Sequence, residues 1–248
     1  MKLDRVIAVR NDKTVCRDDD RAVKVFVSGY KKSDILGEAL KQTRMREIGL
    51  PVPEVLEVSA IDGKWSIISE YVNGKPLSRL IEEECDKLDE YLDLFTEIQT
   101  IIHSTSCRDL IRLKDDMSRK ISEAELESTV RYSMLSKLES MPRQSSVCHG
   151  DFNPSNVIID EDGNAHVIDW SHTTQGSASA DIAKTYVLFL LDGHDGAADV
   201  YLKKICEKTS VEESEIKEWL PLVAAAETAE RRGTSLSVLR ELIESAHK

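Results

Sequence analysis

The chain has 248 residues, of which 41% are hydrophobic and 31% charged, which is enough apolar content for one large domain or two small lobes. No apolar run approaches the roughly 18 residues of a membrane span, and the N-terminus alternates charge with Val and Ile where a signal peptide would carry an apolar core, so a soluble, cytoplasmic protein without a membrane partner is expected. The net charge of −12 is uneven: residues 1–73 hold 13 Lys and Arg against 12 Asp and Glu, residues 74–248 hold 20 against 33, and this balance disfavours a polyanionic partner such as nucleic acid.

Residues 3–9, Val15 with its neighbours, and residues 21–27 are short β-prone segments, the last two joined by the polar turn Asp18-Asp19-Asp20. Within 21–27, Ala22, Lys24 and Phe26 share one face and Val23, Val25 and Val27 the other, so Lys24 sits among apolar residues. A helix begins near Ser33, with Ile35, Leu36, Ala39, Leu40 and Met45 at helical positions and Glu38 in its first turns, and Gly49-Leu50-Pro51 ends it. Pro51 and Pro53 stiffen an extended exit. Residues 55–59 and 65–70 read as a hairpin across Asp62-Gly63. At Glu70-Tyr71-Val72-Asn73-Gly74-Lys75-Pro76-Leu77 a strand gives way to a turn and then a helix, which sets a predicted boundary between lobes at 1–72 and 73–248.

Beyond the boundary helices dominate. Leu88, Leu92, Phe95, Ile98 and Ile102 recur at three- and four-residue steps, predicting an amphipathic helix that ends near His103. A second helical region over 121–138 leads to Met141-Pro142 and a short run into His149. Next comes His149-Gly150-Asp151-Phe152-Asn153-Pro154-Ser155-Asn156, with Asp151 five positions before Asn156 and Asp169 eighteen after Asp151. Val157-Ile158-Ile159 and Val167-Ile168 flank a turn at 160–164, a hairpin that folds Asp169 back beside Asn156. A carboxylate and an amide oxygen brought together make a hard, oxygen-rich site suited to Mg²⁺, which takes few protein ligands plus phosphate oxygens. Asp151, one short loop away, is placed to accept a proton from an attacking hydroxyl. Segments centred on 200–205, 216–226 and 236–243 read as further helices, and Glu212, Glu213, Glu215, Glu218, Glu227 and Glu230 crowd this region. The five cysteines are scattered without a C-x-x-C pair, which argues for reduced thiols and against a zinc site or disulfide framework.

The spacing matches the kinase pattern H-x-D-x-x-x-x-N with a downstream Asp. In detail it resembles the aminoglycoside phosphotransferase and choline kinase superfamily more than the protein kinases. Gly150 stands where protein kinases usually carry Arg, Pro154 lies inside the loop, and Asp169-Trp170-Ser171 replaces Asp-Phe-Gly. Gly49-Leu50-Pro51-Val52-Pro53-Glu54-Val55 is similar to the family's linker into its fourth strand. The stretch from Gly176 to Asp181 resembles its Gly-Asp-Pro-x-x-Asp phrase, with Ser177 and Ala178 replacing Asp-Pro.

The resemblance covers most of the chain and implies an α+β, bilobal, protein-kinase-like fold: an N-terminal antiparallel sheet plus one helix, then a mostly helical C-terminal lobe. It implies transfer of the γ-phosphoryl group of ATP, or GTP, with Mg²⁺, to a hydroxyl of a small molecule. On this reading Asp151 is catalytic, Asn156 and Asp169 hold the metal, Lys24 contacts the nucleotide phosphates and Glu38 pairs with Lys24; Glu70 and Val72 are assigned to the purine-binding hinge by resemblance alone. An edge-strand lysine, a solvated helix glutamate and an ordinary interdomain turn are the competing readings. His149 and His103 resemble bracing and packing histidines, and Asp181 reads as a helix cap tied to the catalytic loop.

The first hairpin, Val9-Arg10-Asn11-Asp12-Lys13-Thr14, lacks the glycines of a protein kinase phosphate loop, leaving Arg10, Lys13 or Thr14 as substitutes. The acidic second portion suits a cationic acceptor, an amino alcohol or aminosugar, with helix-face solvation as the alternative. A kinase acting on a protein or nucleoside, and a nucleotide-binding regulator with little catalysis, are the runner-up functions.

Overall fold

The computed structural model describes residues 5–9, 12–229 and 235–244. Arg10 and Glu230, both named above, lie outside them, as does the start of the first predicted strand. The described chain divides into two compact units, Met1–Glu83 with Pro154–Ser171, and Glu84–Asn153 with His172–Lys248. This division differs from a single cut after residue 72, because a hairpin from the second half of the sequence packs with the first.

In the first unit, β1 (Arg5–Val9), β2 (Lys13–Asp18), β3 (Arg21–Phe26), β4 (Val55–Ile61) and β5 (Lys64–Glu70) form an antiparallel sheet in the order β1-β2-β3-β5-β4. Tight turns set the register. Asp62 and Gly63 take φ of 49° and 77°, the left-handed pair that a two-residue hairpin needs to follow strand twist. Between β3 and β4 runs α1 (Lys32–Glu47). It ends where Gly49, at φ 88°, lets the Gly49 N–H reach the Arg46 carbonyl and the Leu50 N–H reach that of Met45, the paired bonds of a Schellman motif. Ile35 and Ala39 of α1 bury against Phe26 and Ile67 of the sheet, while Leu36 and Leu40 stay exposed. The Arg46 guanidinium and the Gln42 amide hold the Val52 and Pro53 carbonyls, fixing the stiff exit from the helix.

A second, three-stranded sheet completes this unit: β6 (Gly74–Pro76), β8 (Val157–Asp160) and β9 (Ala165–Val167), in the order β6-β8-β9, with α2 (Leu77–Glu83) following β6. Gly74 lies so close to the Ile159 backbone that a Cβ there would overlap its carbonyl, which is why this pairing takes glycine.

The second unit contains α3 (Leu88–His103), α4 (Leu113–Glu123), α5 (Ser128–Ser140), β7 (Ser146–Cys148), β10 (Thr174–Gly176), α6 (Ala178–Leu191), α7 (Asp195–Thr209), α8 (Glu213–Glu227) and α9 (Ser235–Glu244). The helical region expected over 121–138 is two helices, because the backbone turns extended at Ala124 with ψ of 146°. Helix α6 is buried along most of its length and packs on α7 and α8, while α3 packs on α7. Phe95 of α3 stacks on Phe152 with ring centroids 4.3 Å apart and meets Tyr201 of α7 edge-on. Strands β7 and β10 pair antiparallel, Cys148 opposite Thr174, at the entry to the loop beginning at His149.

Candidate active site

Hairpin β8–β9 places Val157 opposite Val167 and Ile158 opposite His166, and the Ile168 N–H donates to the Asn156 carbonyl at 2.9 Å. Asn156 and the residue before Asp169 are thereby joined by the backbone ladder. Asp169 itself takes φ of 62°, a left-handed conformation that costs a non-glycine residue about 1 kcal/mol. Its side chain holds it there. Asp169 Oδ1 accepts from Lys24 Nζ at 3.2 Å and from Ser171 Oγ at 3.1 Å, and Lys13 Nζ lies 3.0 Å from Oδ2 and 3.2 Å from Oδ1.

Lys24, on β3 opposite Val15 and Ile67, donates also to Glu38 Oε1 at 2.5 Å. Burial works against its charge, but the Asp169 and Glu38 carboxylates outweigh it and hold the ammonium above the ordinary lysine range. Burial likewise opposes ionisation of Asp169, and Lys24 and Lys13 reverse it, keeping that carboxyl far below the usual carboxylate range. Lys41 Nζ, from α1, reaches the Ser171 carbonyl at 2.6 Å and ties the segment after Asp169 to the helix.

The chemistry of these donors suits a divalent cation. Lys24 and Lys13, at 3.0–3.2 Å from its oxygens, favour the ionised form of the Asp169 carboxyl, and Asn156 is buried with its backbone carbonyl joined to the residue before Asp169. Among the described residues no cluster of three or more His, Cys, Asp or Glu forms a metal cage, so an ion here would draw its other ligands from phosphate and water, as Mg²⁺ does.

Within the second unit the loop 149–153 is fastened from below. Asp181, in the first turn of α6, accepts from the His149 N–H at 3.1 Å, the Gly150 N–H at 2.8 Å and His103 Nε2 at 2.9 Å. Helix α6 takes Ser177 as its N-cap, so Asp181 is a loop anchor and not the cap that its position suggested. Burial opposes the Asp181 charge, and the His103 bond with the loop amides overcomes it, holding its carboxyl below the usual range. The Asp151 N–H donates to His149 Nδ1 at 3.2 Å, which gives His149 the bracing role. Thr185 Oγ1 donates to the Phe152 carbonyl and accepts from Gln99 Nε2, whose Oε1 takes the Tyr201 hydroxyl. Gly150 has φ of 79°, and a Cβ there would stand 2.5 Å from the His172 carbonyl. An arginine would not fit.

Glu70 ends β5, and its carboxylate accepts from the Glu54 N–H at 2.9 Å, so the side chain serves the sheet. Val72, half-buried, lies two residues on. Of the acidic residues around α8, Glu227 is buried in an ion pair with Lys184, Glu213 pairs with Lys217, and Glu215 accepts from Ser179. A cavity of about 620 Å³ in this unit has a mixed lining that includes Arg112, Lys114, Asp115, Glu139 and Arg143. The contact of Lys13 with Asp169 escaped the sequence reading, since the two stand 156 positions apart.

The model of the phosphotransferase enzyme family (APH) matches residues 6–219. Aminoglycoside-3'-phosphotransferase of type VIII superposes with a TM-score of 0.67 at 18% identity, over 90% of this chain and 93% of its own. A thermostable mutant of aminoglycoside phosphotransferase APH(4)-Ia, in ternary complex with ADP and hygromycin B, gives 0.71 at 14% identity over 98% and 94%. Choline kinase LicA from Streptococcus pneumoniae gives 0.67 at 16% over 100% and 94%. No curated protein sequence matches the chain. With a family match over most of its length and the shared kinase-like α+β fold, the chain belongs to the phosphotransferase enzyme family.

Proposed function

We propose that the protein transfers the γ-phosphoryl group of ATP to a hydroxyl of a cationic small molecule, an amino alcohol or aminosugar, in the cytoplasm. The observation that carries this reading is Lys24, whose ammonium bridges Glu38 Oε1 at 2.5 Å and Asp169 Oδ1 at 3.2 Å. A lysine held by a helix glutamate beside a metal-binding aspartate is the arrangement on which kinase phosphate binding depends. Lys24 steadies the nucleotide phosphates and Glu38 keeps it in place. Asn156 and Asp169 would hold Mg²⁺, which supplies charge neutralisation at the phosphate oxygens when bound. Asp151 orients the acceptor hydroxyl and takes its proton as the acceptor oxygen bonds to the γ-phosphorus and ADP leaves. The backbone around Glu70 and Val72 meets the purine.

Adenine nucleotides are favoured because the similar structures include complexes with ADP, AMP-PNP and AMP. A cationic acceptor is supported by the net −13 of residues 74–248 and by the hygromycin B complex and choline kinase among the similar structures. The five cysteines are all free, which suits a reducing compartment.

The test is turnover of Asp151→Asn with Mg²⁺, ATP and a panel of amino alcohols, aminosugars and neutral polyols. A fall in kcat of about 100-fold or more with ATP affinity within about twofold is expected; undiminished turnover would refute the role given to Asp151.

A further inference from the structure

We propose that Lys13 is a built-in counter-ion that stands in the divalent cation's place on Asp169, so that metal enters this site only by exchanging with the Lys13 ammonium. The inference rests on the reading of Asp169 as a metal ligand.

The geometry separates the two lysines. Lys24 is shared between two carboxylates, with its shorter bond to Glu38, and is therefore locked on the sheet. Lys13 approaches both oxygens of Asp169 at once, at 3.0 and 3.2 Å, which is how a cation straddles a carboxylate. Asp169 is its carboxylate partner among the described residues.

Charge counting gives the consequence. Lys13, Lys24, Glu38 and Asp169 sum to zero, and their side chains are only 14%, 18%, 9% and 22% exposed. A divalent ion added to this set would leave a surplus of two positive charges in a partly desolvated pocket, which is strongly disfavoured. Departure of Lys13 from Asp169 removes one of them and frees Oδ2, while Oδ1 keeps its bonds from Lys24 and Ser171. The polyanionic tail of a nucleoside triphosphate removes the rest and offers the displaced ammonium new acceptors. Metal without nucleotide should therefore bind weakly, and nucleotide and metal should bind with positive coupling through Lys13. Lys13 is a positioning residue in this scheme. Its β2 location, at the foot of the first hairpin and opposite Phe26, puts it on a strand that pairs along one edge with β1 and along the other with β3.

Direct binding of Mn²⁺ to the full chain without nucleotide, followed by electron paramagnetic resonance, reads this out independently of turnover. Wild type should bind weakly, Lys13→Met and Lys13→Gln at least about tenfold more tightly, and Lys13→Arg like wild type because the charge is kept. Adding Asp169→Asn to Lys13→Met should abolish the gain. Equal or weaker Mn²⁺ binding by both uncharged variants, with binding still lost on Asp169→Asn, would overturn the exchange while leaving Asp169 a metal ligand. Mn²⁺ binding indifferent to Asp169→Asn would remove the metal assignment itself, and the exchange with it. Circular dichroism and thermal unfolding show that the variants compared are folded.

Discussion

Glu38 makes a charge-assisted bond to Lys24. Replacing it by Gln keeps the volume and the acceptor oxygen but removes the charge that shares Lys24 with Asp169. The lysine should then lean towards Asp169, and Glu38→Gln is expected to lower kcat/KM for ATP by roughly 10- to 100-fold while costing only about 1–2 kcal/mol of stability. Steady-state kinetics beside urea unfolding separates the two effects. Gly150 makes the opposite case, where backbone and not chemistry sets the residue. Its φ of 79° is strained for any L side chain, and the His172 carbonyl fills the space where a Cβ would lie. Gly150→Ala should cost about 1–2 kcal/mol from conformation alone, more from the contact, and should depress turnover further by shifting Asp151. The departure from the protein kinase Arg was visible in the sequence, but its cause, an approach by a residue 22 positions later, was not.

At the scale of elements, the loop 149–153 is positioned by two helices. From α6, Asp181 takes two loop amides and Thr185 takes the Phe152 carbonyl; from α3, His103 orients Asp181, Gln99 meets Thr185, and Phe95 underlies Phe152. Asp181→Asn puts an amide NH₂ among donors, leaving a buried N–H without an acceptor, and should destabilise the fold by about 3 kcal/mol. The sign with pH follows from the lowered Asp181 pKa. The unfolded chain binds the proton first, so the carboxylate's contribution is fully present above the unfolded value near 4 and fades as pH falls through the lower folded value. Wild type and Asp181→Asn should converge in stability as pH falls below about 4, measured by urea unfolding between pH 3 and 7; a constant gap over that range would contradict the linkage. Much of this scaffold was legible. Helical periodicity marked α3, and the run of β-branched residues around an Asp/Gly turn marked β8 and β9. The split between α4 and α5 was not, since residues 124–127 contain no Gly or Pro; the extended break is held by the Arg131 guanidinium, which donates to the Ala124 and Leu126 carbonyls. Nor were the pairings of β6 with β8 and β7 with β10, three-residue ladders whose partners lie far apart in sequence and carry no periodic signal of their own.

Across the whole molecule, charge is the property that sequence states most fully and structure qualifies. The acidic excess lies in residues 74–248, yet several of its members are already engaged: Glu227 with Lys184, Glu213 with Lys217, Asp93 with Lys204. Such pairs leave fewer carboxylates to meet an acceptor than composition suggests, and on the proposed reading a cationic substrate is drawn by the summed field of the remainder. Field effects of this kind are screened within about 8 Å at physiological ionic strength and weaken steeply with salt. Raising the salt from about 20 to 200 mM should therefore lower kcat/KM for a cationic amino alcohol several-fold, mostly through KM, while a neutral polyol of the same size keeps its value within about twofold. Varying acceptor charge at fixed ATP and free Mg²⁺ isolates this from the salt dependence of nucleotide binding, which is common to both acceptors. Parallel salt curves for the two would show that the acidic surface only solvates helices, and the preference for a cation would then have to come from contacts inside the acceptor pocket.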